Sequence, residues 1–245
     1  MIVSRLPLFG FQSNRKGMML SSFLKDLSRG VVNLLFPPIC PGCNQRINEL
    51  QSGICPECWE RMIPLSPSAI QAKQVPAHLE AVFPVFIFEP LIQNLIHALK
   101  YQGCKSLGVA LGKSAGIQVR AMIPLEPDTV MIPVPLHPIK LRERGYNQSD
   151  YIADGFAISL RLPVRKDILR RIKNTVTQTQ LTAEERRHNM QDAFAVKKNA
   201  DLLNVKNVIL IDDVLTTGST MNSAAEVLKK VGIQRIYGLT VATPI

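Results

Sequence analysis

No part of the chain approaches the roughly 20 consecutive apolar residues that a membrane-spanning helix requires. A secretory leader is missing too, because Arg15 and Lys16 follow the apolar part of the first twenty residues instead of preceding it. These two absences predict a cytoplasmic protein. Aromatic residues are scarce, at 6% with one tryptophan, so a platform that stacks several bases in succession has little to be built from. Trp59 and Tyr146 are the best candidates, and such side chains are more often packing residues. Repeats and low-complexity stretches are absent, and so is a complete P-loop. Gly108–Ser114 nearly matches G-x-x-x-x-G-K-[ST], but Leu107 stands where the first glycine belongs. Leu107, Ala110, Leu111, Ala115 and Ile117 instead have the spacing of a helix interior. Acids are also in deficit, with 19 Asp plus Glu against 29 Lys plus Arg, a net charge of +10. A pI near 9.6 favours phosphate-bearing partners, either small ligands or nucleic acid.

Cysteine is sparse but concentrated: four of the five lie in Cys40-Pro-Gly-Cys43 and Cys55-Pro-Glu-Cys58, and the fifth is Cys104. Two C-x-x-C knuckles place four thiolates at the corners of a tetrahedron, which predicts a structural zinc site. Arg46 and Arg61 are placed to offset the negative charge of a four-thiolate centre. A pair of disulfides is the alternative, and a cytosolic compartment disfavours it. Cys104 reads as a free thiol, at least partly buried.

The segment Val208-Ile-Leu-Ile-Asp212-Asp213-Val-Leu-Thr216-Thr217-Gly218-Ser219-Thr220-Met221 carries the strongest chemistry. Four apolar residues predict a buried strand, the acidic pair sits at its carboxyl end, and a hydroxyl-rich loop leads into a helical pattern over 222–231. Carboxylates accept hydrogen bonds from vicinal sugar hydroxyls, and loop N–H groups at a helix N-terminus suit a phosphate dianion. Gly218 allows the backbone to approach the phosphate. Asp212 and Asp213 also resemble the acidic strand end of a receiver domain, but too few residues follow them to complete that fold.

Apolar runs at 82–88, 130–135, 208–211 and 235–241 predict strands, and 163–169 reads as extended. Helical spacing marks 90–100, 105–119 and 147–160. Strand and helix in alternation predict an α/β fold, a parallel sheet with helices on both faces. Ahead of it, 22–35 has the spacing of an amphipathic helix ending at Pro37-Pro38, and 64–76 reads as a linker of breakers. The division expected is an N-terminal extension and helix over 1–35, a double C-x-x-C zinc ribbon over 36–66 and the α/β domain over 67–245.

Two further segments are distinctive. His137-Pro-Ile-Lys140-Leu-Arg142-Glu-Arg144-Gly-Tyr146-Asn-Gln148 follows a strand end and places Arg142 and Arg144 where a curled loop would converge both on one anion. The polar stretch 171–194 has the length of a mobile lid, and Thr182 with Glu185 forms a capping box within it. Over 140–190, eleven Lys plus Arg face six acids, half of the chain's surplus.

The loop 211–220 resembles the signature of type I phosphoribosyltransferases, whose substrate is 5-phosphoribosyl-1-pyrophosphate (PRPP). Together with the knuckles, Leu99-Lys100-Tyr101-Gln-Gly103 and the two basic segments, in that order over about 36–245, the chain is similar to the ComF family. The resemblance implies a type I phosphoribosyltransferase-like fold behind a zinc ribbon, with Zn²⁺ structural and Mg²⁺ accompanying PRPP. By resemblance, Asp212 and Asp213 hold the ribose hydroxyls and fix the reacting ring, and Thr216, Thr217, Gly218, Ser219 and Thr220 wrap the 5′-phosphate. Arg142 and Arg144, with Thr175, Gln178 and Arg186 of the lid, are the pyrophosphate and lid candidates. The family further implies a role in natural competence, with single-stranded DNA and a helicase-like DNA translocase as partners. Either a Mg²⁺-dependent phosphoribosyltransferase or a non-catalytic nucleic-acid-binding factor that keeps the fold as a ligand sensor or scaffold is compatible with these residues. Lys140 departs from the family's arginine and weakens bidentate anion recognition there.

Overall fold

A computed structural model describes residues 38–47, 53–173 and 192–245. The expected helix over 22–35, the capping box at Thr182 and the lid candidates Thr175, Gln178 and Arg186 lie outside the described residues. Cys40–Ile245 forms one compact unit.

Its centre is a four-stranded parallel sheet in the order β1-β6-β5-β2, with β1 at Ala81–Ile87, β2 at Thr129–Pro133, β5 at Asn207–Val214 and β6 at Arg235–Thr243. A separate antiparallel hairpin pairs β3, Leu169–Arg171, with β4, Phe194–Val196. The inner strands β5 and β6 read as almost continuous apolar runs because both of their faces are covered. Alternate residues divide between two cores: Ile209 and Ile211 face one, Val208 and Leu210 the other.

Three helices cover the first face: α3, Pro90–Tyr101; α4, Lys105–Val119; and α6, Gln148–Leu160. On the second face lie α7, Ser219–Lys230, and the hairpin. The near-P-loop lies inside α4, where its glycines serve packing instead of a ligand. A Cβ on Gly112 would overlap the Ile152 carbonyl, and one on Gly155 would overlap the Val109 carbonyl. Helices α4 and α6 therefore meet backbone to backbone.

The cysteine knuckle, with the short helix α1 at Pro56–Glu60, joins the first core: Cys40, Cys55, Cys58 and Ile54 are buried in one cluster with Leu95 and Leu99. The breaker-rich stretch after it is more ordered than a linker. It holds α2, Pro67–Gln71, whose N-cap Ser66 side chain accepts from the Ala69 N–H, and residues 63–65 run antiparallel along the outer edge of β1. There Leu65 donates to Val85 and Ile87 to Ile63, at 2.8 and 3.0 Å. On the opposite edge, residues 163–165 bond Met131 of β2 from both sides, which accounts for the extended reading of 163–169.

Candidate functional site

Strand β5 runs three residues beyond its apolar stretch and carries both aspartates within it. The two carboxylates meet neighbouring residues of one helix turn but differ in burial and partners. Asp213 faces the first core and is 5% exposed. Its Oδ2 takes the Lys100 ammonium at 2.6 Å and the Gln148 side-chain N–H at 3.0 Å. Asp212 is more open, and its Oδ1 accepts from the Ser149 hydroxyl at 3.1 Å and the Asp213 N–H at 2.9 Å. Burial, and then the Asp213 carboxylate beside it, push Asp212 up to about 7. Burial pulls Lys100 down, yet the Asp213 carboxylate outweighs it and holds the ammonium above its ordinary value.

These partners come from the last turn of α3 and the first turn of α6. The Asn147 side chain, at the N-cap of α6, donates to the Val134 carbonyl at 3.1 Å and to Asp150 at 2.9 Å, tying the start of α6 to the end of β2. Arg144 donates to the Gln148 side-chain oxygen, and its guanidinium lies 5.1 Å from the Tyr101 ring centroid. Residues 138–144 are not a loop but a helix, α5 (Pro138–Arg144), started by Pro138 and closed by Gly145 at φ +78°. Two positions apart on a helix is about 200° of rotation, so Arg144 reaches the acidic network while Arg142 points away and is exposed. Lys140 is pulled down by burial and by the neighbouring Arg171, Arg144 and Lys100 cations. Positive charge thus gathers around the two aspartates.

Beyond β5, Leu215 bonds back to Ala242 and the chain turns through Thr216 and Thr217, both exposed. Gly218, at φ +71°, caps α7. Beyond its left-handed backbone, a Cβ there would lie 2.5 Å from Pro76 Cγ. The Thr217 and Ser219 hydroxyls are 2.9 Å apart, and Ser219 and Thr220 open the helix. The first-turn N–H groups of a helix have no partner within it and can donate to an anion; here the Ser219 N–H meets the Thr217 hydroxyl at 3.4 Å. Carboxylates able to accept hydroxyl hydrogen bonds therefore stand one short loop from N–H and hydroxyl donors.

The sequence points to the aspartates and the loop as candidates but to no role for Lys100, Gln148 or Ser149, which the structure brings to the two carboxylates. Lys100 and Gln148 lay within the distinctive segments 99–103 and 137–148, and that was the only signal. Trp59 and Tyr146 are packing residues. Trp59 lies against the first core, and Tyr146 is buried with its hydroxyl donating to the Leu99 carbonyl. Among the described residues the large exposed aromatic is Tyr101.

The four knuckle sulfurs all lie within 4.8 Å of one another, with Cys43 and Cys55 at 3.6 Å. A tetrahedral ZnS₄ centre with bonds of about 2.3 Å has sulfur–sulfur edges of about 3.8 Å, so the thiols fit the ion. Burial raises Cys40, but N–H groups of Cys55, Gly42 and Cys43 outweigh it and bring the thiol down to about 7. Burial pushes Cys55 up to about 11 and raises Cys58 as well. A Cβ at Gly42 would stand 2.9 Å from Cys58 Sγ, so this knuckle requires glycine. No helix among the described residues is long and apolar enough to cross a membrane.

Fold, acidic strand end and thiolate cluster define a class: a phosphoribosyltransferase-like α/β domain carrying a zinc ribbon. Comparison with known families agrees, since the phosphoribosyl transferase domain matches residues 151–243 and the double zinc ribbon domain matches 31–71. Competence protein F of Haemophilus influenzae is 30% identical over 85% of this chain and 91% of its own length. The DNA utilization protein YhgH of Escherichia coli K12 is 27% identical over 79% of this chain and 85% of its own. Competence protein ComFC of Bacillus subtilis is 25% identical over 86% and 87%. The chain belongs to the ComF family.

Proposed function

We propose that this protein binds PRPP in the β5–α7 cradle and acts in natural competence, in the handling of single-stranded DNA taken up during transformation. The observation that carries the ligand is the placement of Asp212 and Asp213 at the carboxyl end of an inner parallel strand, one short loop before the Gly218-capped start of α7. In this reading Asp212, the more open carboxylate, takes the ribose hydroxyls. Thr216, Thr217, Ser219, Thr220 and the α7 N–H groups take the 5′-phosphate, and Lys100, Lys140 and Arg144 supply positive charge to the pyrophosphate. The oxygen donor of Asp212 suits Mg²⁺, a hard ion that stabilises a departing pyrophosphate when bound. A zinc ribbon over 36–66 braces the domain over 67–245 by sharing its first core. The competence role draws on relatives named for competence and DNA utilization.

Calorimetric titration with PRPP and Mg²⁺, followed by a pyrophosphate-release assay across candidate acceptors, tests the reading. Binding is expected in the native protein and lost in Asp212→Asn/Asp213→Asn. No binding in the native protein overturns it. Binding without pyrophosphate release makes the protein a ligand sensor or scaffold instead of a transferase.

A further inference from the structure

The net charge is not spread evenly. Residues 161–173 and 192–206 hold nine Lys or Arg against three Asp, and of the nine Lys166 and Lys206 pair with Asp154 and Asp128 outside these ranges. These residues build the β3–β4 strand pair and its flanks, and five of them, Asp167, Arg170, Lys197, Lys198 and Asn199, line an open cleft of about 410 Å³. The one acid in the lining does not balance its cations. Arg165 grips both oxygens of Asp167 at 2.9 and 2.8 Å and, chiefly through those bonds, holds the carboxyl down to about 2. Lys197 is steadied by its own bond to the Lys166 carbonyl at 3.1 Å, and Arg170 and Lys198 are exposed.

This cleft is distinct from the acidic cradle. Arg170 and Arg171 are neighbours on β3 and point to opposite faces. Arg171 lies over the Phe194 ring at 5.4 Å and feels the Asp212 carboxylate, whereas Arg170 turns outward into the cleft. One strand thus presents a cation to each of two sites. The volume matches small-ligand pockets.

We propose that the β3–β4 cleft binds the phosphodiester backbone of single-stranded DNA, with Arg170, Lys197 and Lys198 on phosphates and Asn199 beside sugar or base edges. The proposal rests on the reading of this protein as a handler of DNA, and it adds the face that does so. It separates the DNA-contacting surface from the PRPP cradle while placing a cation for each on the one strand β3.

Fluorescence anisotropy with a labelled oligothymidylate, from about 50 to 200 mM salt, gives the test, because each single-strand phosphate contact contributes about 0.7 to the slope of log affinity against log salt. Arg170→Gln/Lys198→Gln is expected to flatten that slope by about 1.4 and to weaken binding most at low salt. Lys113→Gln/Lys230→Gln, which removes the same charge from exposed positions elsewhere, keeps the native slope. Circular dichroism confirms that both variants are folded. Equal slopes in the two variants overturn the assignment of this face and leave the DNA reading standing. Absence of binding by the native protein overturns both, and a duplex bound as tightly as the single strand overturns the choice of ligand.

Discussion

Lys100→Met isolates the electrostatics of the acidic pair. The ammonium sits 2.6 Å from Asp213, with side-chain exposures of 24% for the lysine and 7% for the aspartate. At that distance an effective dielectric of 20 gives an attraction of about 6 kcal/mol, most of which repays the removal of two charges from water. The net cost of deleting one partner of a buried pair is about 3–5 kcal/mol, because the survivor is left uncompensated. Gln148 still donates to the same oxygen and the lysine is partly open to solvent, so the lower end, about 3 kcal/mol, applies here. Lys100, raised by Asp213, stays protonated throughout neutral pH, and it also attracts Asp212, which ionises as pH rises through about 7. In the variant the penalty belongs to an ionised carboxylate, which a proton relieves. The loss is therefore expected to be largest at pH 8 and smaller at pH 5. In urea, with a slope near 2 kcal/mol/M, the pH 8 midpoint falls by about 1.5 M. Lys100→Arg keeps the charge and recovers most of it. An equal loss at both pH values would refute the reasoning, since it would mean that the lysine acts through its aliphatic packing alone.

Other expectations follow from the same geometry. Asp212, raised to about 7 in the folded chain against about 3.9 unfolded, binds a proton on folding between those values, so its contribution to stability falls as pH rises from about 4 to about 7 and is level above. Asp212→Asn removes that slope, and the variant gains on the native protein between pH 5 and pH 8 in urea unfolding; a difference independent of pH contradicts it. Gly155→Ala forces a methyl against the Val109 carbonyl and should cost at least about 1–3 kcal/mol by overpacking, and a melting temperature within a degree of the native one would refute the backbone-to-backbone contact. Chelation should release a single zinc per chain and lower the main calorimetric transition, because the thiolate cluster and α3 share one core; two zinc ions, or an unmoved transition, would count against it.

What the sequence disclosed is what is local. The strand, acidic pair and loop of 208–221 are contiguous, so their order alone predicts the strand end and helix start that the structure shows, and the knuckle spacings predict the four-cysteine cluster. The partners of the acidic pair are not local: Gln148 and Ser149 reach across 65 and 63 residues to Asp213 and Asp212. Nothing in α3 or α6 alone says which carboxylate lies opposite. The short hairpin was hidden for the same reason, since the three residues of β3 find their partners at 194–196. At 138–144 the basic character suggested a loop. Proline at the first helical position and glycine just past the last residue were the overlooked signs of a helix.

The strip at 63–65 along the outer side of β1 has a consequence for the life of the protein in solution. A parallel sheet whose last strand is uncovered offers a row of unmet N–H and C=O groups to any other chain. Here that row is closed by the residues leaving the thiolate knuckle, so the ion that folds the knuckle also guards the sheet margin. Metal loss that frees this strip would bare a template for strand addition, and self-association of the zinc-free protein, read by light scattering, is the expected outcome.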